Sequence, residues 1–149
     1  MKQQISDRDS FLKAMAPLRE ATFTGADLAY DEKAREMTFT LTREDPSTRR
    51  QSFLPGLRRN SWLRTVIHVR HIVSYRQSLA SGQDEVYVLD RAEVGRGGQE
   101  LAFYFRPGDR AVMDVENIEA WVEDAGRATA PPKAVIVNPI VAKDKAGRR

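Results

Sequence analysis

The clearest pattern along the chain is a strict alternation of apolar and polar residues between positions 37 and 42. The apolar positions share one face and three threonines share the other, which predicts a strand with one buried face and one face in water. The preceding stretch, 21–30, is also strand-prone but contains Gly25, which indicates a bend or a bulge. Because a short polar connection separates the two stretches, we expect them to form an antiparallel hairpin.

The longest apolar-rich strand signal covers residues 62–75. It predicts either one long bent strand or two strands that meet at a bulge near Arg70. Shorter alternating segments, each bounded by turn residues, predict further strands at about 85–93, 101–105 and 110–113. Short turns between successive strands favour antiparallel pairing.

Two segments have helical spacing instead. The first covers about 6–16 and is followed by Pro17, which predicts that the helix ends there. The second covers about 115–125 and has an apolar stripe at i, i+3, i+4 and i+7, formed by Ile118, Trp121, Val122 and Ala125. Asp114 and Gly126 fit the capping positions at its two ends.

This order of elements predicts a mainly β or α+β fold. We expect a curled antiparallel sheet of about 6–7 strands, a short N-terminal helix, and a C-terminal helix packed on the sheet in a pleckstrin-homology-like arrangement. A chain of 149 residues suits one domain, which we place at 1–126. Residues 127–149, with two prolines and scattered bases, are interpreted as a flexible basic tail.

The amino-acid composition excludes several kinds of functional site. The chain has no cysteine, which excludes disulfides, thiol nucleophiles and thiolate metal sites and fits a reducing compartment. The N-terminal residues lack the apolar run of a signal peptide, so we expect a soluble, cytoplasmic protein without a membrane segment. His68 and His71 would face opposite sides of a strand, so no metal site or cofactor is expected.

Charge is distributed very unevenly along the chain. Residues 43–76 contain eight arginines against two acids, a local charge of +6. Residues 84–124 contain eleven acids against four arginines, a local charge of −7. Residues 125–149 are basic again, with six bases against one acid.

The basic segment is the first candidate site. Guanidinium groups bind phosphate or carboxylate in bidentate fashion, and an aromatic ring can stack on a base. The candidate anion-binding or partner-binding residues are Arg49, Arg50, Arg58, Arg59, Trp62, Arg64 and Arg70. The alternative, which we favour, is that these arginines pair with the acidic half of the same molecule or of a second copy.

The tail contains the second candidate site. Residues 134–141 are apolar and strand-prone within an otherwise polar segment. Val135, Ile136 and Val137 could add as a strand to a sheet edge, either of this chain or of a partner. The alternative is an ordinary terminal extension that packs on the domain, and the sequence does not decide between the two.

Several segments together resemble a family of short, β-rich bacterial proteins, largely alphaproteobacterial, classified as a domain of unknown function. They are Asp27-Leu28-Ala29-Tyr30, the strand Met37 to Leu41, Arg64-Thr65-Val66-Ile67-His68-Val69-Arg70, and Val115-Glu116-Asn117-Ile118-Glu119-Ala120 followed by Asp124 and Gly126. The segment 44–61 and the residues after 127 depart from that pattern. The resemblance implies a shared fold and no catalytic residue.

No catalytic motif is visible, since the glycines at 95–98 lie between two predicted strands and the serines form no nucleophile elbow. We therefore expect a non-catalytic protein-interaction or accessory module, with a protein partner or a second copy of itself. The alternative is a binder of nucleic acid or another polyanion through residues 43–76.

Overall fold

The computed structural model describes residues 2–45, 61–79, 82 and 84–128. These residues form mainly β-structure, with ten strands in one antiparallel sheet and one short helix, so the prediction of a mainly β, antiparallel fold is confirmed. The elements in chain order are β1 (Lys2–Ile5), α1 (Arg8–Met15), β2 (Thr22–Thr24), β3 (Leu28–Asp31), β4 (Glu36–Glu44), β5 (Trp62–Val69), β6 (Ile72–Ser78), β7 (Val86–Val94), β8 (Glu100–Arg106), β9 (Arg110–Val115) and β10 (Ala120–Ala128).

Helix α1 forms where helical spacing predicted it. Asp7 caps its start, because the Asp7 carboxylate accepts a hydrogen bond from the Ser10 backbone N–H at 2.8 Å. The helix buries Phe11, Ala14 and Met15. The Phe11 ring lies 5.7 Å from that of Phe103 in an edge-to-face contact, so α1 is anchored to the core by β8.

Across the sheet the strand order is β1–β10–β5–β4–β2–β7–β8–β9–β6, and β3 pairs with β4. Strand β2 joins the two halves, since Thr22 pairs with Thr42 of β4 on one side and with Val88 of β7 on the other. The sheet curls until β4 faces β8 across the core, where the Phe39 ring lies 5.5 Å from that of Phe103. Strands β1 and β6 are the two ends of the sheet.

The predicted hairpin is present. A 3-10 turn at Gly25–Asp27 interrupts the strand-prone stretch, and the second part, β3, pairs with β4 from Leu28↔Phe39 to Asp31↔Glu36. The apolar face of β4 is fully buried, as its alternation predicted.

Residues 62–75 form two strands, the second of the two predicted alternatives. The break lies at Arg70 and His71, and His71 adopts a positive φ of 60°, which is uncommon for a residue with a side chain. After this kink the chain changes neighbours, because β5 pairs with β4 and β10 whereas β6 pairs with β9.

The predicted C-terminal helix is wrong. Residues 120–128 form strand β10, inserted between β1 and β5, and the residues before it are irregular. Gly126 is therefore not a helix cap. It has a φ of 109° and lies in the irregularity of β10 between Asp124 and Arg127, a conformation that glycine adopts without strain.

The predicted number of 6–7 strands is also wrong, since ten are present in the described residues. The pleckstrin-homology-like arrangement depended on the C-terminal helix, which is the strand β10 instead. Strand β10 extends to Ala128, and the remainder of the predicted tail, 129–149, lies outside the described residues.

Candidate functional site: the β6 edge and the adjoining groove

The predicted site residues fall into two groups. Trp62, Arg64 and Arg70 are described: Trp62 and Arg64 lie on β5, and Arg70 lies at the kink before β6. The others lie outside the described residues, namely Arg49, Arg50, Arg58, Arg59 and the tail residues Val135, Ile136 and Val137.

Three arginines of the basic segment pair with acids of the same chain. Arg43 lies 3.3 Å from Asp124, and Arg70 lies 3.2 Å from both Glu36 and Glu119. Arg76 lies 3.5 Å from Asp114 on the neighbouring strand. For these arginines the structure supports pairing within the molecule, whereas Arg64 is exposed on the outer face of β5.

Each histidine is held by its own glutamate. His68 stacks on the Trp121 ring at 4.6 Å, and its Nε2 lies 3.1 Å from Glu123. The Nε2 of His71 lies 2.6 Å from Glu119. The described residues contain no cluster of three or more acids and histidines able to hold a metal ion.

Three glutamates in the segment predicted as a helix also make ion pairs. Glu116 pairs with Arg35, Glu119 pairs with Arg70 and His71, and Glu123 pairs with His68. Glu119 ties the kink before β6 to the connection before β10, and Glu116 ties the same connection to the turn between β3 and β4. These two glutamates therefore stabilise the place where the chain crosses from one half of the sheet to the other.

Strand β6 offers a backbone edge along its outer side, which we call the β6 edge. The Ile72 N–H donates a hydrogen bond to the Arg35 carbonyl at 3.1 Å. Beyond Ile72, β6 pairs with β9 alone within the described part of the chain. Between β6 and the nearby β3, the rings of Tyr75 and Tyr30 stack at 4.5 Å with an interplanar angle of 12°.

Two further features distinguish the β6 edge. Val73 lies at the shift in register between Ile72 and Ser74, and 59% of its surface is exposed, more than for any other large hydrophobic residue described. A groove of about 340 Å³ adjoins β6 on the outer face of the sheet. Its lining comes from β6, β8 and β9 and consists of Arg76, Gln77, Ser78, Glu100, Tyr104, Arg110 and Val112.

The lining of this groove is mainly polar, and Val112 is the one aliphatic residue among the lining residues. Val112 pairs with Ala102 of β8 and is only 8% exposed, although neither residue belongs to the main core cluster. The groove is therefore a basin on the outer face of the sheet with a mostly polar and charged lining.

The charged side chains in and around this groove differ in how closely they are paired. Arg91, whose guanidinium lies 4.1 Å from the Tyr104 ring, is 2.8 Å from Glu93, and Arg106 at the end of β8 is 2.6 Å from Glu20. These contacts raise the pKa of each arginine. The Ser74 hydroxyl, with help from Arg76, holds the pKa of Asp114 below its usual value. Arg110 is exposed at the end of the groove and makes no ion pair with any described residue.

Tyr75 provides a test of how the β6 edge is packed. Burial raises the pKa of its hydroxyl, so above pH 10 the unfolded chain loses a proton that the folded chain keeps. We therefore expect the free energy of unfolding to fall above pH 10, by at most about 1.4 kcal/mol per pH unit, with no such effect below pH 10. Tyr75→Phe should remove this slope, as measured by urea unfolding between pH 9 and pH 11.

Tyr104→Phe is the matched control, because Tyr104 lies on the outer face of β8 and should leave the slope unchanged. Parallel stability curves for the wild type and Tyr75→Phe would contradict the packing described here. Below pH 10 the two curves should differ by a constant offset, since the variant also loses the hydrogen bond from the Tyr75 hydroxyl to Gln77.

Comparison with known proteins identifies no relative: no protein-family model, no curated protein and no solved structure matches the chain. Within the described residues, α1 is too short to cross a lipid bilayer.

Proposed function

We propose that this protein is a non-catalytic interaction module that binds an extended segment of a protein partner as an additional strand along the β6 edge. The observation that carries the proposal is the position of β6, a seven-residue strand at the end of the sheet that is paired on one side in the described residues. Its outer N–H and carbonyl groups can pair with another extended chain.

The other end of the sheet is a weaker candidate. Strand β1 has four residues against the seven of β6, so it offers fewer backbone hydrogen bonds to an added strand. The β6 edge also combines an exposed apolar residue, Val73, with an adjoining groove. In strand addition, backbone bonds supply affinity and side-chain pockets supply specificity, and β6 has both elements.

The same strand has features that limit pairing with copies of itself. The register shift at Val73 and the charged Arg76 are both devices that natural edge strands use against uncontrolled association. An edge that is protected in this way favours a selective partner over aggregation.

The alternative function, binding of nucleic acid or another polyanion through residues 43–76, receives less support. The ion pairs of Arg43, Arg70 and Arg76 reduce the positive charge that these residues present to a ligand. Cytoplasmic location and membership of the domain-of-unknown-function family stay predictions from the sequence.

A pair of proline substitutions tests the proposal. Neighbouring residues of a regular strand point their N–H groups in opposite directions, so one of Arg76→Pro and Gln77→Pro removes a bond to β9 and the other removes an outward N–H. We expect the inward variant to lower the free energy of unfolding by about 1–2 kcal/mol. The outward variant should fold normally and fail to bind the partner.

Urea unfolding tells the two variants apart, because only the inward variant should have a lower free energy of unfolding than the wild type. Capture from a native lysate, with and without nuclease, then compares the outward variant with the wild type. A nuclease-resistant partner recovered near equal stoichiometry with the wild type and lost with the outward variant is the expected result. Equal recovery with both proteins would overturn strand addition at β6, and recovery of nucleic acid would favour the alternative function.

A further inference from the structure

We propose that the segment bound at the β6 edge is acidic, and that one of its carboxylate side chains binds Arg110 across Ser78. This inference rests on the proposed function and specifies the chemistry of the partner. It combines three observations: the position of Arg110 in the sheet, the small residue between Arg110 and the edge, and the lack of an ion pair between Arg110 and any described residue.

The register places Arg110 one strand inward from the edge. Arg110 of β9 pairs with Ser78 of β6 on one side and with Tyr104 of β8 on the other. A strand added to β6 would lie about 4.8 Å outside it, so its side chain opposite Ser78 would be the next neighbour in the same row. Serine is short, and the guanidinium on its long stem can reach over it toward that side chain.

The ion pairs in and around the groove single out the same arginine. Arg91 and Arg106 have close acidic partners at 2.8 and 2.6 Å, while Arg76 is shared between Glu100 at 3.7 Å and Asp114 at 3.5 Å. Among the described residues, no acid lies within ion-pair distance of Arg110. A carboxylate supplied by the partner would make the bidentate, charge-assisted contact that the guanidinium geometry favours.

The position of Val73 adds a second requirement. Val73 precedes Ser78 by five residues on β6. An extended partner segment therefore needs an apolar residue near Val73 and an acidic residue about five positions away, opposite Ser78. A general attraction between a basic surface and an acidic peptide would not require this spacing, so the spacing distinguishes the two explanations.

The test is selection of random decapeptides displayed on phage, carried out in parallel on the wild type, on Arg110→Glu and on Arg8→Glu. Arg8 is an exposed residue of α1, so its reversal makes the same change in net charge away from β6. We expect the wild type and Arg8→Glu to enrich peptides with Asp or Glu about five positions from an apolar residue. Arg110→Glu should lose that preference and favour Lys or Arg at the same position.

One selected peptide is then synthesised with an amidated C-terminus, together with its Glu→Gln or Asp→Asn counterpart, so that side-chain and terminal carboxylates are distinguished. The wild type should bind the neutral peptide at least about tenfold more weakly than the acidic peptide. Arg110→Glu should weaken binding of the acidic peptide by at least the same factor. If the outward proline variant does not bind the peptide but Arg110→Glu binds it as tightly as the wild type does, this inference is overturned and the proposed function stays intact. Acid-dependent binding that survives the proline would overturn strand addition, and enrichment of no peptide would overturn both.

Discussion

Replacing Phe39 with alanine is expected to lower the free energy of unfolding by about 3–5 kcal/mol. The Phe39 ring is fully buried and lies at the centre of the aromatic core, 4.6 Å from Phe23, 5.5 Å from Phe103 and 5.8 Å from Phe105. These partners belong to β2 and β8, whereas Phe39 belongs to β4. The substitution therefore removes contacts that hold the two halves of the curled sheet together.

Thr38→Ala is the matched control, since Thr38 precedes Phe39 on the same strand and lies on the outer face. We expect it to cost at most about 1 kcal/mol, because it is partly exposed and contributes mainly strand propensity. Guanidinium unfolding of the two variants measures both values. If Phe39→Ala costs no more than Thr38→Ala, the ring is not the centre of the core and the facing of β4 and β8 is wrong.

The sequence predicted β4 well because its information is local. A strand with one buried face and one face in water has to alternate, and Met37 to Thr42 does so without exception. The break near Gly25 was also indicated locally, because a glycine interrupts the strand-prone stretch. The break near Arg70 was only one of two alternatives that the sequence left open.

The C-terminal strand shows where local information was insufficient. Trp121 fits a helical stripe, but in β10 it lies on the outer face, stacked on His68 with Lys2 at 5.0 Å from its ring. Because a large apolar residue lies at an outward position, the segment does not show the alternation of apolar and polar residues that would have indicated a strand. What makes the segment a strand is its place between β1 and β5, and the β1 partners are more than a hundred residues away in sequence.

The candidate site depends on non-local register in the same way. Arg110 follows Pro107, Gly108 and Asp109, so the sequence indicated the start of a short strand and nothing more. Its significance comes from pairing with Ser78 on one side and Tyr104 on the other, which no local pattern predicts. The undercount of strands has a related cause, because β1 and β3 have four residues each and are too short to show a period.

The second large effect is expected at Asp124, which we predict to cost about 2–3 kcal/mol of stability when replaced with alanine. The hydroxyl of Thr65, which is fully buried, donates a hydrogen bond to Asp124 Oδ1 at 3.0 Å. Arg43 donates from Nε to Thr65 Oγ1 at 3.0 Å and from Nη2 to Asp124 Oδ1 at 3.3 Å. Removing the carboxylate deprives both residues of their shared acceptor.

The neighbouring residue provides the control for this prediction. Glu123 lies beside Asp124 on β10 and pairs with His68 of β5, but 40% of the Glu123 side chain is exposed, against 27% for Asp124. Water screens a more exposed pair and solvates the partner left behind, so Glu123→Ala should cost at most about 1 kcal/mol. Asp124→Asn should fall between the two, because the amide oxygen can still accept the Thr65 hydrogen bond without the charge that Arg43 pairs with.

Urea unfolding of these variants, of Arg43→Ala and of the Arg43→Ala, Asp124→Ala double mutant measures the coupling directly. Since Arg43, Thr65 and Asp124 belong to β4, β5 and β10, a coupling of about 1–2 kcal/mol would show that this network ties three adjacent strands together. Equal costs for Asp124→Ala and Glu123→Ala, with no coupling to Arg43, would contradict it. In that case β10 would be held by its backbone ladder and by the burial of Ala120 and Val122 rather than by these polar groups.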